Sequence, residues 1–259
     1  MQYAEILRIA VEQSAIDLGC SPEDLLGSGS RVVFSRADPR ARKYLKLPFD
    51  CNLVWYGAGT VASVSPPFAE AVEHYLRAFP AEHLFETPNL HVLNDYFDRF
   101  DRRVCFMAEY FLPDPAQMKI LGCRYALRLL EQDALQELYL PQWSNALCEK
   151  RRELDMLAFG AYDGETLVGL AGASADCETM WQIGVDVLPA YRRQGIASAL
   201  TAGLAAEILA RGKVPFYCAA WSNLPSVRNA IRCGFRPAWA ELTVKSREFT
   251  DDMNGGVRL

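Results

Sequence analysis

The second half of the sequence alternates strand patterns with helical patterns, and this alternation is the feature that most constrains the fold. Two strand patterns, Leu157–Tyr162 and Leu167–Gly172, are joined by Asp163-Gly164, a dipeptide that favours a tight hairpin turn. A strand pattern over Met180–Val187 then precedes a long helical pattern over Gly195–Arg211. Strands that alternate with helices and include one hairpin predict an α/β fold, in which helices cover a mixed β-sheet.

The first half carries no recognisable motif and predicts a smaller α/β domain. It has an amphipathic helical pattern over residues 3–18 and a strand pattern at Arg31–Phe34. Pro113-Asp114-Pro115 indicates a linker, because two prolines disfavour both helix and sheet hydrogen bonds. The predicted division is an N-terminal domain at residues 1–112, a linker at 113–117 and a second domain at 118–259.

The charge balance argues against nucleic acid as a partner. The 259 residues include 27 Lys and Arg against 32 Asp and Glu, a net charge of −5, whereas nucleic-acid-binding domains usually carry a basic surface. No uncharged apolar run approaches the roughly 18 residues of a transmembrane helix. The early Glu5 is also atypical of a signal peptide. The sequence therefore predicts a cytoplasmic protein with no membrane partner.

The eight cysteines and three histidines do not form a metal-ligand pattern. No two cysteines are spaced as Cys-x-x-Cys, and none lies near His74, His83 or His91. Structural zinc sites need closely spaced pairs of such ligands. The sequence predicts no metal, and it predicts that the cysteines are reduced residues of the core.

A short arginine-rich loop follows the strand pattern that ends at Val187. The loop contains Arg192, Arg193 and Gly195, and a helical pattern begins directly after it. Backbone N–H groups at the start of a helix attract anions, and glycine lets an anion approach the backbone closely. The loop is therefore a candidate phosphate site. An ordinary strand-to-helix turn with solvated arginines is the alternative on these residues alone.

Two motifs in this region resemble those of the GNAT N-acetyltransferase superfamily. Val187, Pro189, Arg192, Gly195 and Ala197 match its acyl-CoA pyrophosphate loop, Arg/Gln-x-x-Gly-x-Gly/Ala after a Val-x-Pro approach. About 30 residues later, the second motif of the family is matched by Asn223, Ser226 and the pair Gly234-Phe235. The resemblance covers about residues 118–247. It extends to uncharacterised GNAT proteins that carry an N-terminal extension of this kind. The mixed strand and helix patterns of residues 1–112 would suit a substrate-shaping module or a degenerate half-acetyltransferase.

The resemblance implies a GNAT fold with acetyl-CoA as co-substrate. In this family the strand ending at Val187 and the strand Val214–Trp221 separate into a wedge that takes the pantetheine arm as an added strand. A backbone N–H on the first strand polarises the thioester carbonyl. The residues implied in coenzyme binding are Val185, Val187, Arg192, Arg193, Gln194, Gly195, Ile196, Ala197, Ser198, Asn223 and Ser226.

The catalytic acid and base are less clearly indicated. The tyrosine that protonates the departing thiolate in this family lies seven residues after the motif asparagine, and that position is Ala230 here. Three acids, Asp176, Glu178 and Asp186, lie on or before the strand that precedes the loop, and Glu178 is the candidate general base. Solvated turn carboxylates are the alternative interpretation of all three.

The predicted function is direct transfer of an acetyl group to the primary amine of a small molecule. Two alternatives stay open at this point. One is a CoA-binding regulatory or scaffold protein with little activity, which the alanine at position 230 favours. The other is acetylation of a protein or peptide amine. A homodimer is compatible with the sequence.

Overall fold

The computed structural model describes residues 1–257, and the chain divides into two compact units. Unit 1 comprises Met1–Ala10 and Tyr110–Ala238, and unit 2 comprises Val11–Glu109 and the chain from Trp239 onward. Each unit is therefore built from two separate stretches of sequence. The predicted division into residues 1–112, 113–117 and 118–259 is continuous in sequence, and as a division into functional domains it stays a prediction.

The structure has the mixed α/β architecture that the alternating sequence patterns predict. No helix within residues 1–257 is long and apolar enough to cross a membrane. The helices are α1 (Tyr3–Leu18), α2 (Pro22–Leu26), α3 (Ala69–Ala78), α4 (Thr87–Asp98), α5 (Ile196–Ala210), α6 (Leu224–Arg232) and α7 (Arg247–Met253). The strands are β1 (Arg31–Phe34), β2 (Cys51–Trp55), β3 (Thr60–Val64), β4 (Arg102–Pro113), β5 (Ala126–Glu131), β6 (Asp155–Asp163), β7 (Thr166–Ser174), β8 (Met180–Val187), β9 (Val214–Ala220) and β10 (Phe235–Ser246).

In unit 1, strands β5 to β9 lie side by side in chain order. The pairs β5–β6, β6–β7 and β7–β8 are antiparallel, whereas β8 and β9 are parallel. The predicted hairpin joins β6 and β7, and Gly164 in its turn has a φ of +60°. Helix α5 covers the sheet with Leu200, Leu204 and Ile208, which are completely buried. Burial of this apolar stripe stabilises the helix against the sheet.

In unit 2, strands β1, β3, β2 and β10 are neighbours in that order. The β1–β3 pair is parallel, and the β3–β2 and β2–β10 pairs are antiparallel. Helices α3 and α4 contribute Val72 and Phe97 to a core that also contains Leu53 of β2, and all three side chains are completely buried.

The segment predicted as a linker is a hydrogen-bonded turn within unit 1. Pro113 is the last residue of β4, and Asp114 is only 7% exposed. The Asp114 N–H donates to the Gly234 carbonyl at 2.9 Å, and its carboxylate accepts from the Ala116 N–H at 3.1 Å and the Gln117 amide at 2.9 Å. The prolines therefore end a strand and begin a fixed turn.

A buried carboxyl at the start of β6 makes the stability of the protein depend on pH. Asp155 is 1% exposed, and one of its oxygens has no hydrogen-bond partner among the described residues. Burial raises the pKa of this carboxyl to about 6. The folded state therefore holds the Asp155 proton more tightly than the unfolded state does. The stability that comes from this tighter proton binding is fully present below about pH 4 and is lost as the pH rises through 6.

We expect the Asp155→Asn variant to show a flatter dependence of stability on pH than the wild type. Between pH 4 and 7 the free energy of unfolding of the wild type should fall by about 2 kcal/mol more than that of the variant. Urea unfolding at several pH values measures this difference. Asp133→Asn, at an exposed position of the same unit, is the control and should keep the wild-type slope. Equal slopes for the wild type and Asp155→Asn would contradict the prediction.

Candidate functional site

Strands β8 and β9 separate after a short paired segment, and a cavity lies beside the place where they part. In the described chain they pair only at Met180 with Val214, Trp181 with Pro215 and Gln182 with Phe216. The open cavity has a volume of about 730 Å³. Ten of the predicted coenzyme-binding residues line it, namely Val185, Val187, Arg192, Arg193, Gly195, Ile196, Ala197, Ser198, Asn223 and Ser226.

The loop between β8 and α5 lines this cavity and has a backbone conformation that suits an anion. Arg193 and Gly195 have φ angles of +62° and +81°, and α5 begins directly afterwards at Ile196. Left-handed residues next to a helix start produce a concave row of N–H donors that suits an anion. The first N–H groups of a helix also have no partner within the helix. This conformation favours the anion-site interpretation over an ordinary turn.

Two predicted site residues lie outside the cavity lining. The Gln194 side chain accepts a hydrogen bond from the Tyr125 hydroxyl at 2.6 Å, and its amide donates to the Ala190 carbonyl at 3.4 Å. Glu178 is exposed in the bend before β8, at the end of the strand where β8 and β9 are still paired. The structure therefore does not bring the Glu178 carboxylate to the cavity.

The other two candidate carboxylates are both engaged in contacts. Asp176 is completely buried, and its carboxylate pairs with Arg151 at 2.8 Å. Asp186 lines the cavity and accepts three hydrogen bonds, from the Asn145 N–H at 2.8 Å, the Asn145 amide at 2.7 Å and the Ala146 N–H at 2.9 Å. Asp186 thus fixes Asn145, which also lines the cavity, and the sequence pattern did not indicate this role.

A pair of glycines lets this Asn145 segment lie directly on the sheet. Gly172 of β7 and Gly184 of β8 are direct partners in the strand register. A Cβ atom at Gly184 would come within 1.8 Å of the Asn145 carbonyl oxygen, and one at Gly172 within 2.0 Å of the Ala146 carbonyl oxygen. Both distances are far below van der Waals contact, so any side chain at either position would displace the segment.

Tyr217 of β9 brings a phenol to the cavity one residue beyond the last β8–β9 pair. Its side chain is 3% exposed. Burial raises the pKa of this hydroxyl, and hydrogen bonds with Ser226 and Asn229 partly offset the shift. Ala230, at the position where the family has its tyrosine, is completely buried in the same core cluster as Tyr217. In this structure the phenol at the cavity therefore comes from strand β9, and position 230 of helix α6 supplies no hydroxyl.

Two polar side chains fix helix α6 at the cavity. The side-chain amide oxygen of Asn223 accepts from the Ser226 N–H at 3.3 Å, which caps the start of the helix. Asn229 accepts from the Ser198 hydroxyl at 2.9 Å and donates to the Thr201 hydroxyl at 3.0 Å. All three members of this bridge are more than nine-tenths buried. The bridge connects α6 to the first turns of α5.

Comparison with known protein families identifies the class of protein domain to which the cavity region belongs. Residues 124–235 match the acetyltransferase (GNAT) family. This region, which contains the loop, the wedge and helix α6, is a GNAT acetyltransferase domain, as its motifs predict. The family match covers less than half of the chain. No significant match was found among curated proteins.

Several solved structures are similar to part of this chain at low sequence identity. A GCN5-related N-acetyltransferase-like protein from Streptococcus suis is 20% identical over 60% of this chain and 68% of that one, with a TM-score of 0.46. A GNAT-family acetyltransferase from Colwellia psychrerythraea is 13% identical over 56% of this chain, with a TM-score of 0.42, and the match spans only 57% of its length. An aminoglycoside N-acetyltransferase in complex with CoA is 20% identical over 45% of this chain and 91% of its own, with a TM-score of 0.36.

Proposed function

We propose that unit 1 uses acetyl-CoA to acetylate the primary amine of a small molecule by direct transfer. The observation that carries the proposal is the cavity at the separation of β8 and β9, which opens onto the N–H-rich loop before α5. Both features lie within the part of the chain that matches the GNAT family.

The residues around the cavity suit the parts of the coenzyme. The loop from Arg192 to Ser198 would hold the pyrophosphate with backbone N–H groups and arginine side chains. Beyond Gln182 and Phe216 the facing edges of β8 and β9 do not pair with each other, so their backbone groups can bond the pantetheine amides as an added strand would. The coenzyme would supply an acetyl group activated as a thioester.

The transfer needs a polarised carbonyl and a proton for the leaving thiolate. A backbone N–H of β8 in the wedge would stabilise the developing oxyanion. As the amine nitrogen bonds to the carbonyl carbon and the C–S bond breaks, the amine proton passes to water and the Tyr217 hydroxyl protonates the thiolate sulfur. Tyr217 then regains its proton from solvent. Water takes the amine proton because Glu178 lies outside the cavity lining and Asp186 is held by three donors.

Turnover measurements separate this proposal from the two alternatives. The protein is mixed with acetyl-CoA and either small amines (polyamines, amino sugars, amino acids) or lysine-containing peptides, and release of the CoA thiol is followed. We expect thiol release that depends on a small amine and not on peptides. Peptide-dependent release would favour acetylation of proteins, and CoA binding without turnover on any amine would favour the regulatory role.

Other properties are proposed on sequence composition alone. The net charge of −5 supports an enzyme without a nucleic-acid partner, and a cytoplasmic location without a membrane partner stays a prediction. That residues 1–112 shape the choice of acceptor stays a prediction, and so does a homodimer.

The Asn223 side chain should have two separable roles. Its oxygen caps α6, and its amide nitrogen donates to no partner among residues 1–257, which leaves the amide able to reach a ligand in the cavity. We expect Asn223→Ala to lose both roles, with a melting temperature lower by about 2–4 °C and a higher KM for acetyl-CoA. Asn223→Asp keeps the capping oxygen, so it should raise KM at a nearly unchanged melting temperature. If Asn223→Asp kept the wild-type KM, the residue would be a cap alone.

A further inference from the structure

The cavity carries more positive charge than the phosphate loop alone provides. Arg192 and Arg193 belong to the loop, but Arg228 and Arg232 of α6 also line the cavity, and Asp186 is the single carboxylate in its lining. Arg193, Arg228 and Arg232 have no carboxylate partner within the described chain. Arg236, only four residues after Arg232, pairs with Asp114 at 3.3 Å. These three arginines therefore lie together in the lining of one cavity, in a protein whose net charge is −5.

The two arginines of α6 form one basic face that is held at a fixed place relative to the loop. Residues four apart lie on the same side of a helix and about 6 Å apart along its axis. The bridge from Asn229 to Ser198 and Thr201 links this helix to the start of α5 inside the core. The face of Arg228 and Arg232 is thus a second cationic surface of the same cavity, separate from the N–H groups of the loop.

We infer that Arg228 and Arg232 form a second anion subsite, which binds the 3′-phosphate of the coenzyme. This inference rests on the proposed function, since it assumes that the cavity binds CoA. The pyrophosphate is sufficient to occupy the loop, and the 3′-phosphate is the other anionic group of CoA. A phosphate monoester carries about 1.5 to 2 negative charges at pH 7, and guanidinium groups bind phosphate through paired hydrogen bonds. The subsite makes the protein selective for 3′-phosphorylated coenzyme.

Calorimetry with CoA and with 3′-dephospho-CoA tests the subsite at 0.15 M ionic strength, where charges more than about 8 Å apart are largely screened. We expect the wild type to bind CoA at least 10-fold more tightly than dephospho-CoA, as charge-assisted hydrogen bonds of this kind allow. In the Arg228→Ala/Arg232→Ala double variant the two affinities should become equal within about 2-fold, because CoA binding weakens and dephospho-CoA binding hardly changes.

A matched control variant distinguishes direct binding of the 3′-phosphate by Arg228 and Arg232 from long-range attraction by any positive charge. Arg128 lies on β5, three strands from β8 and thus about 14 Å away across the sheet. Arg128→Ala should keep the wild-type preference for CoA. Because Arg228 and Arg232 are exposed and unpaired in the described residues, the double variant should also keep the wild-type melting temperature.

The outcomes distinguish failure of the subsite from failure of the proposed function. A wild type that binds CoA and dephospho-CoA equally, or a double variant that keeps the wild-type preference, overturns the subsite while the coenzyme site stands. A wild type that binds neither ligand overturns the proposed function and the subsite with it.

Discussion

The Gly195→Asp variant should bind CoA at least 100-fold more weakly than the wild type. Gly195 has a φ of +81° and immediately precedes the first residue of α5, where the proposed pyrophosphate site lies. A carboxylate there would repel the phosphates and occupy the N–H groups that bind them. Space does not limit the substitution, because the nearest atom to an added Cβ is the Gly122 carbonyl oxygen at 3.9 Å.

The Gly195→Asn variant is the matched control for this experiment. Asparagine and aspartate have nearly the same shape, and both tolerate the left-handed conformation better than most residues. Calorimetry with CoA should show a much smaller loss for Gly195→Asn than for Gly195→Asp. Equal losses in the two variants would mean that shape, and not charge, decides binding at this position.

Removing the Tyr217 hydroxyl should lower kcat about 100-fold or more while the KM for acetyl-CoA stays within about 3-fold. The hydroxyl is the proposed proton donor to the thiolate, and loss of a general acid has a cost of this order. Because burial raises the pKa of Tyr217, the hydroxyl is protonated at neutral pH and loses its proton only in alkaline solution. The wild-type rate should therefore fall at alkaline pH, and this limb of the profile should be absent in Tyr217→Phe.

Tyr191→Phe is the control, because Tyr191 also lines the cavity but its hydroxyl donates to Asp163 at 3.2 Å. It should keep a turnover near that of the wild type. Rates in a pH series, with melting temperatures for both variants, complete the comparison. A Tyr217→Phe enzyme with the wild-type kcat and the alkaline limb intact would remove Tyr217 from the mechanism.

Strands and helices were predictable from the sequence where the pattern that specifies them lies within a few neighbouring residues. The predicted strands Arg31–Phe34 and Met180–Val187 agree with the structure residue for residue. Strand β10 begins at Phe235 and contains Pro237, a residue type that a local pattern places at the edge of a strand or outside it. Helix α4 begins at Thr87 and has Pro88 in its first turn, where proline does not disrupt a helix.

The residues that line the cavity were predictable only where they belong to one of the two motifs. Asn145 is placed by Asp186, which lies 41 residues later in the chain, and no local pattern connects the two. Gln194 has the motif position of a coenzyme contact, but the hydroxyl of Tyr125, 69 residues away in sequence, holds its side chain elsewhere. Tyr217 is an apolar strand residue by pattern, and only the separation of β8 from β9 makes its hydroxyl a candidate acid.

The glycine pair under the Asn145 segment limits how this site can be re-engineered. A mutant library intended to change the cavity around Asn145 can vary the neighbouring Gln142 and Ser144, which are exposed. Positions 172 and 184 have to stay glycine in every member, since a single methyl group at either would collide with the backbone of residues 145 and 146. Variation in this part of the cavity therefore has to come from the overlying segment, while the two strands beneath it are kept constant.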